Sequence, residues 1–213
     1  MGKFSFTLAV LTAFAVALGG CIHHFAKRKS LHRRTVAQQL DSAVAIFVSC
    51  ESGRFGFGSG VIVGPNKVMT AAHVVKCPGR YLVMVDGLES ETIYEGKKAY
   101  SDSRTDLALL ETVERLPYTP VSIHTVSPGK RVCTVPMAPR ADRRCGESSL
   151  RSRLPGNLRH DIITEPGNSG SGVYDMGGHL VGIVTHYTTC KNGQLCGGAM
   201  TTLSGRKING YLP

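Results

Sequence analysis

From Asp41 onward the chain is built of short apolar runs, four to seven residues each, separated by Gly, Pro and Asn. The runs are 44–50, 57–63, 67–70, 81–85, 107–110, 132–135, 172–176 and 180–185. Each has the length of a strand, and most are rich in Val, Ile or Leu. No segment carries a long, capped 3.6-residue periodicity, so helical bundles and coiled coils are excluded. Gly64-Pro65-Asn66-Lys67 and Met176-Gly177-Gly178-His179 are hairpin turn signals. The 25 Gly, 10 Pro and absence of Trp agree with a turn-rich β protein. Leu116-Pro117-Tyr118-Thr119-Pro120 interrupts the pattern near mid-chain and marks a seam. The expected architecture is all-β, with two barrels. A chain of 213 residues with 42% hydrophobic content can bury a core, which excludes disorder as its main state.

The formal charge of +10 raises nucleic-acid binding as a function, until the charge is located. Lys27, Arg28, Lys29, Arg33 and Arg34 supply five positive charges, and residues 140–160 hold six Arg against Asp142 and Glu147. The excess sits in two short polar segments rather than an even basic groove, so no nucleic-acid partner is expected. The 140–160 stretch reads as a solvated surface loop.

The first twenty residues read as an export signal. Lys3 gives the positive start, residues 4–18 carry no charge, and Gly19 and Gly20 follow. The run is short for a membrane span of about 20 residues. Leu18-Gly19-Gly20-Cys21 resembles the lipobox of bacterial lipoproteins, in which the signal is cut before a Cys that is then acylated. That resemblance implies lipidation of Cys21 and residence in the bacterial cell envelope, with Ile22 after the Cys pointing to the outer membrane in a Gram-negative host. The competing readings are an uncleaved anchor helix over residues 4–25, or simple secretion. Residues 21–40 then form a basic tether, within which His23 and His24 are polar spacer rather than a metal site.

Without Cys21, six cysteines remain: Cys50, Cys77, Cys133, Cys145, Cys190 and Cys196. No Cys-x-x-Cys pair occurs, so zinc-ribbon and thioredoxin chemistry is not expected. In an oxidising compartment six cysteines favour disulfides, with fifteen connectivities open. Neighbouring pairs are the expectation, Cys50–Cys77, Cys133–Cys145 and Cys190–Cys196. Partly free thiols would fit a chain retained in the cytosol.

Three local patterns carry the chemistry. The first is Gly58-Ser59-Gly60-Val61-Ile62-Val63, then a turn and Val68-Met69-Thr70-Ala71-Ala72-His73. The second is Thr105-Asp106-Leu107-Ala108-Leu109-Leu110. The third is Glu165-Pro166-Gly167-Asn168-Ser169-Gly170-Ser171-Gly172-Val173, followed by Leu180-Val181-Gly182-Ile183-Val184. A serine hydroxyl is a weak nucleophile that needs a base within reach. An imidazole can take that proton and return it to a leaving amine, and a carboxylate fixes its tautomer. Jointly the patterns resemble the trypsin/chymotrypsin-like serine endopeptidases, and are especially near to the bacterial HtrA-type and glutamyl endopeptidase branches, over residues 42–205. The resemblance implies two six-stranded antiparallel barrels with the active site between them, and makes His73 the general base, Asp106 the orienting acid and Ser169 the nucleophile. Asp102 is a rival acid, but only Asp106 abuts the apolar run. The order His, Asp, Ser and the failure of Gly-x-Ser-x-Gly at Ser171 argue against an α/β-hydrolase.

The same resemblance assigns the oxyanion donors to the backbone of Gly167 and Ser169. It sets Thr185, His186 and Tyr187 along an edge that pairs with an extended polypeptide substrate, with Thr185 near the buried acid. Ile163 and Thr164 should line the primary pocket. They offer no carboxylate, so Lys or Arg specificity is not supported, and a small or aliphatic residue before the cut is favoured. Asn168 stands where trypsin-like zymogens use Asp, so activation by a freed N-terminus is not expected. Regulation by a PDZ module after the protease, as in HtrA-type proteins, is not expected either. No cofactor is needed. The chain is thus divided into signal 1–20, tether 21–40, a first barrel over 41–117 and a second over 118–213. A lipoprotein of the same fold that binds peptides without cleaving them is the alternative.

Overall fold

The computed structural model describes residues 39, 41–85, 92–117, 121–137, 144–149 and 157–203; within 144–149 only the side chain of Ser148 is described. The signal, Cys21, the tether with His23 and His24, and the side chain of Cys145 lie outside the described residues. Among the described residues no helix is long and apolar enough to cross a membrane.

Twelve strands among the described residues form two closed six-stranded antiparallel barrels, as the resemblance implies. The first holds β1 (Ala43–Cys50), β2 (Phe55–Gly64), β3 (Lys67–Thr70), β4 (Gly79–Val85), β5 (Ile93–Asp102) and β6 (Leu107–Thr112). It closes because β1 pairs with both β2 and β4. The second holds β7 (Arg131–Val135), β8 (Arg144–Ser149), β9 (Asn157–His160), β10 (Gly172–Asp175), β11 (Leu180–Thr189) and β12 (Leu195–Thr202). There β10 pairs with both β11 and β7. Closure leaves few edges on which another chain could pair.

The period of two along β1 explains why a short strand can hold two cores. Val44, Ile46 and Val48 point into the first barrel with Ile62, Val68 and Leu110. Ala43 and Ala45 face the other way, into a cluster shared with Tyr174, Leu180 and Ile183 of the second barrel. Strand β6 repeats the device, with Ala108 and Leu110 inside and Leu107 and Leu109 between the barrels. A strand buried on both faces shows continuous apolar sequence rather than alternation. This is why 44–50 and 107–110 read as unbroken runs.

Every one of the eight apolar runs falls on a strand, and four strands are absent from that set. Strand β5 is mostly solvent-facing and carries Lys97 and Lys98, whereas β12 is diluted by Gly197 and Gly198. Strands β8 and β9 correct the loop reading of 140–160. Their polar sequence is held by main-chain pairing, Cys133 opposite Cys145 and Leu158 opposite Met200.

Disulfides join Cys50 to Cys77 and Cys190 to Cys196, with Cα atoms 5.7 and 5.6 Å apart. Cys133 is also disulfide-bonded, and the register sets Cys145 directly across from it. The sequence separations of 27 and 6 predict unequal effects. Loop-closure entropy gives about 3.6 kcal/mol for the first bridge and about 2.2 for the second. Denaturant unfolding of Cys50→Ala/Cys77→Ala should therefore show the larger loss, and an equal or smaller loss than Cys190→Ala/Cys196→Ala would refute the entropic account.

Candidate active site

His73 sits in the turn after β3, where Val74 and Val75 donate back to the carbonyls of Ala71 and Ala72. Asp106 closes the turn before β6 and holds φ at +53°, a left-handed conformation that Asp tolerates better than most residues. That backbone is secured from three directions. The Asp106 carbonyl accepts the Ala72 N–H at 3.1 Å, Oδ1 accepts the His73 N–H at 2.9 Å, and Oδ2 lies 2.8 Å from His73 Nδ1. One carboxylate thus holds both the backbone and the ring of the same histidine. Asp102 acts elsewhere, accepting the Arg104 N–H and the Thr105 hydroxyl, each at 2.9 Å. Burial raises its pKa, but these donors and the Arg104 charge outweigh that and hold its carboxyl below the ordinary value. It shapes the turn that delivers Asp106.

The 165–168 segment dictates its own bend. Asn168 N–H donates to the Glu165 carbonyl at 3.0 Å across Pro166 and Gly167, with Gly167 at φ +96°. Pro then Gly at the two central positions is the signature of a type II turn. Gly170 is left-handed as well, at φ +89°, and a side chain there would run into the Ser59 carbonyl and the Thr70 hydroxyl. The Gly167 and Ser169 N–H groups have no hydrogen-bond partner among the described residues. Ser169 is half-buried between the two glycines.

These turns meet at one cleft of about 680 Å³, lined by His73, Asp106, Ser169, Thr185, His186 and Tyr187. The rings of His73 and His186 lie 6.1 Å apart. No hydrogen bond joins the Ser169 hydroxyl to the His73 ring in this conformation. Lys76, Lys98 and Arg104 also line the cleft, so Asp106 is outnumbered by cations there. Strand β10 pairs with β11 only over 180–183, so among the described residues no strand pairs with the main chain of 185–187 on that side. Thr185 is buried and donates to the Ala199 carbonyl at 3.3 Å rather than to Asp106. Ile163 is exposed and Thr164 buried, and neither is among the residues lining this cleft.

Residues 58–183 match the family model of the trypsin-like peptidase domain. The chain belongs to the trypsin-like peptidase family. Its class is therefore that of the serine endopeptidases. Solved structures with the same fold include the Rv3671c protease from M. tuberculosis in its active form, with TM-score 0.68, 21% identity and 79% coverage of each chain. The serine endoprotease from Yersinia pestis gives 0.68 at 23% identity, over 80% of this chain and 62% of that one. The HtrA-type protease AlgW, solved with a tripeptide, gives 0.68 at 20%, over 81% and 60%. The chain spans about three-fifths of the latter two. Among curated proteins none matches it.

Two residues of the trypsin-like domain escape a motif reading. Ser59, from the middle of the run 57–63, ties the two barrels together at the 167–169 turn. Its N–H donates to the Ser169 carbonyl at 2.8 Å, and its hydroxyl donates to the Gly167 carbonyl at 2.8 Å while accepting the Met137 N–H at 3.2 Å. The signal was a lone hydroxyl between Gly58 and Gly60 in an apolar strand. His160 is 3% exposed on β9, packed near Thr164 and Gly198, with neither ring nitrogen in hydrogen-bond geometry. Burial pushes its pKa down to about 4, against the Ile162 carbonyl and the Asp161 charge. Nothing in the sequence marks it apart from seven other histidines.

Ser59→Ala strands a buried carbonyl and a buried N–H, so denaturant unfolding should register a loss of about 2 kcal/mol; a change below 0.5 would show that water replaces the hydroxyl. For His160 the folded pKa lies below the free value of 6.5. The unfolded chain therefore binds a proton first as pH falls. The stability present above pH 6.5 declines below it and levels off under about 4, by roughly 3 kcal/mol. The difference in unfolding free energy between parent and His160→Gln, followed from pH 8 to 4, should carry that step; parallel profiles would contradict it.

Proposed function

We propose that this trypsin-like domain cleaves polypeptides through a His73–Asp106–Ser169 triad and a covalent acyl-enzyme. The observation that carries the reading is the doubly bonded His73–Asp106 pair opening on the same cleft as Ser169. Asp106 holds the Nδ1–H tautomer and leaves Nε2 as the base. Ser169 Oγ attacks the scissile carbonyl carbon, its proton passes to Nε2, and the oxyanion is met by the Gly167 and Ser169 N–H groups. Each such donor is worth ~3–4 kcal/mol in the transition state. His73 then gives the proton to the leaving amine, and water attacking through the same base releases the acid. The open Ser169–His73 contact is compatible with this, since catalytic hydrogen bonds are often loose in free enzymes and tighten with substrate.

The substrate lies extended along the open main chain of 185–187, adding a strand beside His186 and Tyr187. The HtrA-type protease AlgW, solved with a tripeptide and in a variant form with a decapeptide, supports a polypeptide as the substrate. The protein works in the bacterial cell envelope, anchored through acylated Cys21 and held close by its basic tether. The order Lys3, apolar run, Gly19-Gly20, Cys21 supports the anchor.

One experiment tests both parts. The full chain is produced in a bacterial host, extracted from membranes, treated with a fluorophosphonate and weighed intact beside Ser169→Ala. The expected product lacks residues 1–20, carries a lipid mass on Cys21, and gains one phosphonyl group that Ser169→Ala does not. A folded, oxidised protein without the adduct would mean a peptide-binding relative that no longer cleaves. A product retaining residues 1–20 would overturn the anchor alone.

A further inference from the structure

Away from the cleft, His124, Asp175 and His179 bring two imidazoles and a carboxylate together, with one ligand atom of each within 4.8 Å of the others. The backbone holds them there. Asp175 and His179 bracket the β10–β11 turn, in which Asp175 Oδ1 accepts the Gly177 N–H at 2.8 Å and the His179 N–H at 2.9 Å. His124 arrives from the segment between the barrels, where Ile123 bridges Leu180 in parallel. Its N–H donates to the Leu180 carbonyl at 3.0 Å, and the Leu180 N–H donates to Ser122 at 2.8 Å. The two rings then stack at 3.7 Å, 15° from parallel. A side chain at Gly177 would meet the His179 ring at 2.7 Å, so glycine is what lets that ring fold over the turn.

Capping a turn needs the Asp175 oxygens and the two N–H groups alone. It does not account for a second imidazole stacked face to face on the first. His179 Nδ1 lies 3.1 and 2.9 Å from Asp175 Oδ1 and Oδ2, so ring and carboxylate already converge and His124 adds the third ligand atom beside them.

We propose that His124, Asp175 and His179 form a binding site for a divalent transition-metal cation of the Zn²⁺ class, which clasps the inter-barrel segment onto the β10–β11 hairpin. Two nitrogens and one oxygen suit Zn²⁺ with water as a fourth ligand. Ca²⁺ and Mg²⁺ require oxygen shells that this set does not supply. Lys130 and Arg131 border the depression beside Asp175, which further disfavours a hard cation held by charge alone. Ligand atoms around tetrahedral zinc stand about 3.3 Å apart given metal bonds near 2.0–2.1 Å. Closing the triangle therefore takes a small rotation of the exposed His124 ring.

The test is a titration of the full chain with Zn²⁺ in competition with a zinc indicator of known affinity, with thermal unfolding alongside. His124→Phe keeps a ring stacked on His179 and removes the nitrogen; Asp175→Asn keeps a turn acceptor and removes the charge. His23→Ala/His24→Ala controls for the tether. The site predicts that one equivalent of Zn²⁺ is lost in His124→Phe, weakened at least tenfold in Asp175→Asn, and unaltered in the tether variant. It also predicts that Zn²⁺ raises the unfolding midpoint by several degrees in the parent and not in His124→Phe. Equal Zn²⁺ stoichiometry and affinity in parent and His124→Phe would overturn the site, as would a loss that follows His23 and His24 instead.

Discussion

Two barrels that merely touched would not hold a catalytic geometry, because packed apolar faces resist separation better than they resist sliding. Ser59 supplies the direction that hydrophobic contact lacks. Its three hydrogen bonds run from the second strand of one barrel to the 167–169 turn and to Met137 in the other. Its carbonyl is meanwhile held by the Thr70 hydroxyl at 2.7 Å, within its own barrel. Buried, such bonds are strong and angle-dependent, and a group left without its partner is costly. The turn carrying Ser169 is therefore registered against the strand that leads into His73. The Thr201 hydroxyl, bonded to the Thr105 carbonyl at 2.6 Å, does the same beside Asp106.

The site concentrates backbone that would be unfavourable elsewhere. Asp106, Gly167 and Gly170 all hold positive φ within a few residues of the proposed chemistry. For the glycines the conformation is free of steric cost; for Asp106 it is not. Hydrogen bonds to both carboxylate oxygens and to the carbonyl of the same residue offset that cost and fix the carboxylate on the imidazole. Among the described residues, His160 and Asn168 contribute buried polar atoms without partners, His160 near Thr164 and Asn168 beside Ser169 itself. Such unsatisfied groups are uncommon in native interiors.

The hairpin of β10 and β11 connects two distant regions of the molecule. Its open end delivers Ser171 and Gly172 after the 169 turn and the 185–187 edge on the return strand. Its closed end presents Asp175 and His179 to His124. Main-chain pairing and the Tyr174–Ser42 bond, at 3.0 Å, keep it rigid between those ends.

Reading the chain alone determined the eight apolar runs as strands, the two-barrel class and two described disulfide pairs, and it named His73, Asp106 and Ser169, which the fold brings to one cleft. Each of these is local. Burial on both faces writes a continuous apolar run, Pro166-Gly167 writes its turn, and Gly-Asn-Ser-Gly with His and Asp in order writes the family. Strands β5, β8, β9 and β12 were not legible, because main-chain pairing with neighbours forms them and polar or glycine-rich sequence does not advertise it. The roles of Ser59 and His160, the bond of Thr185 to Ala199, and the meeting of His124 with Asp175 and His179 were decided by tertiary structure alone. All depend on which atoms come within about 3 to 4 Å across residues far apart in the chain, a distance that closing and packing the barrels sets and no linear spacing encodes.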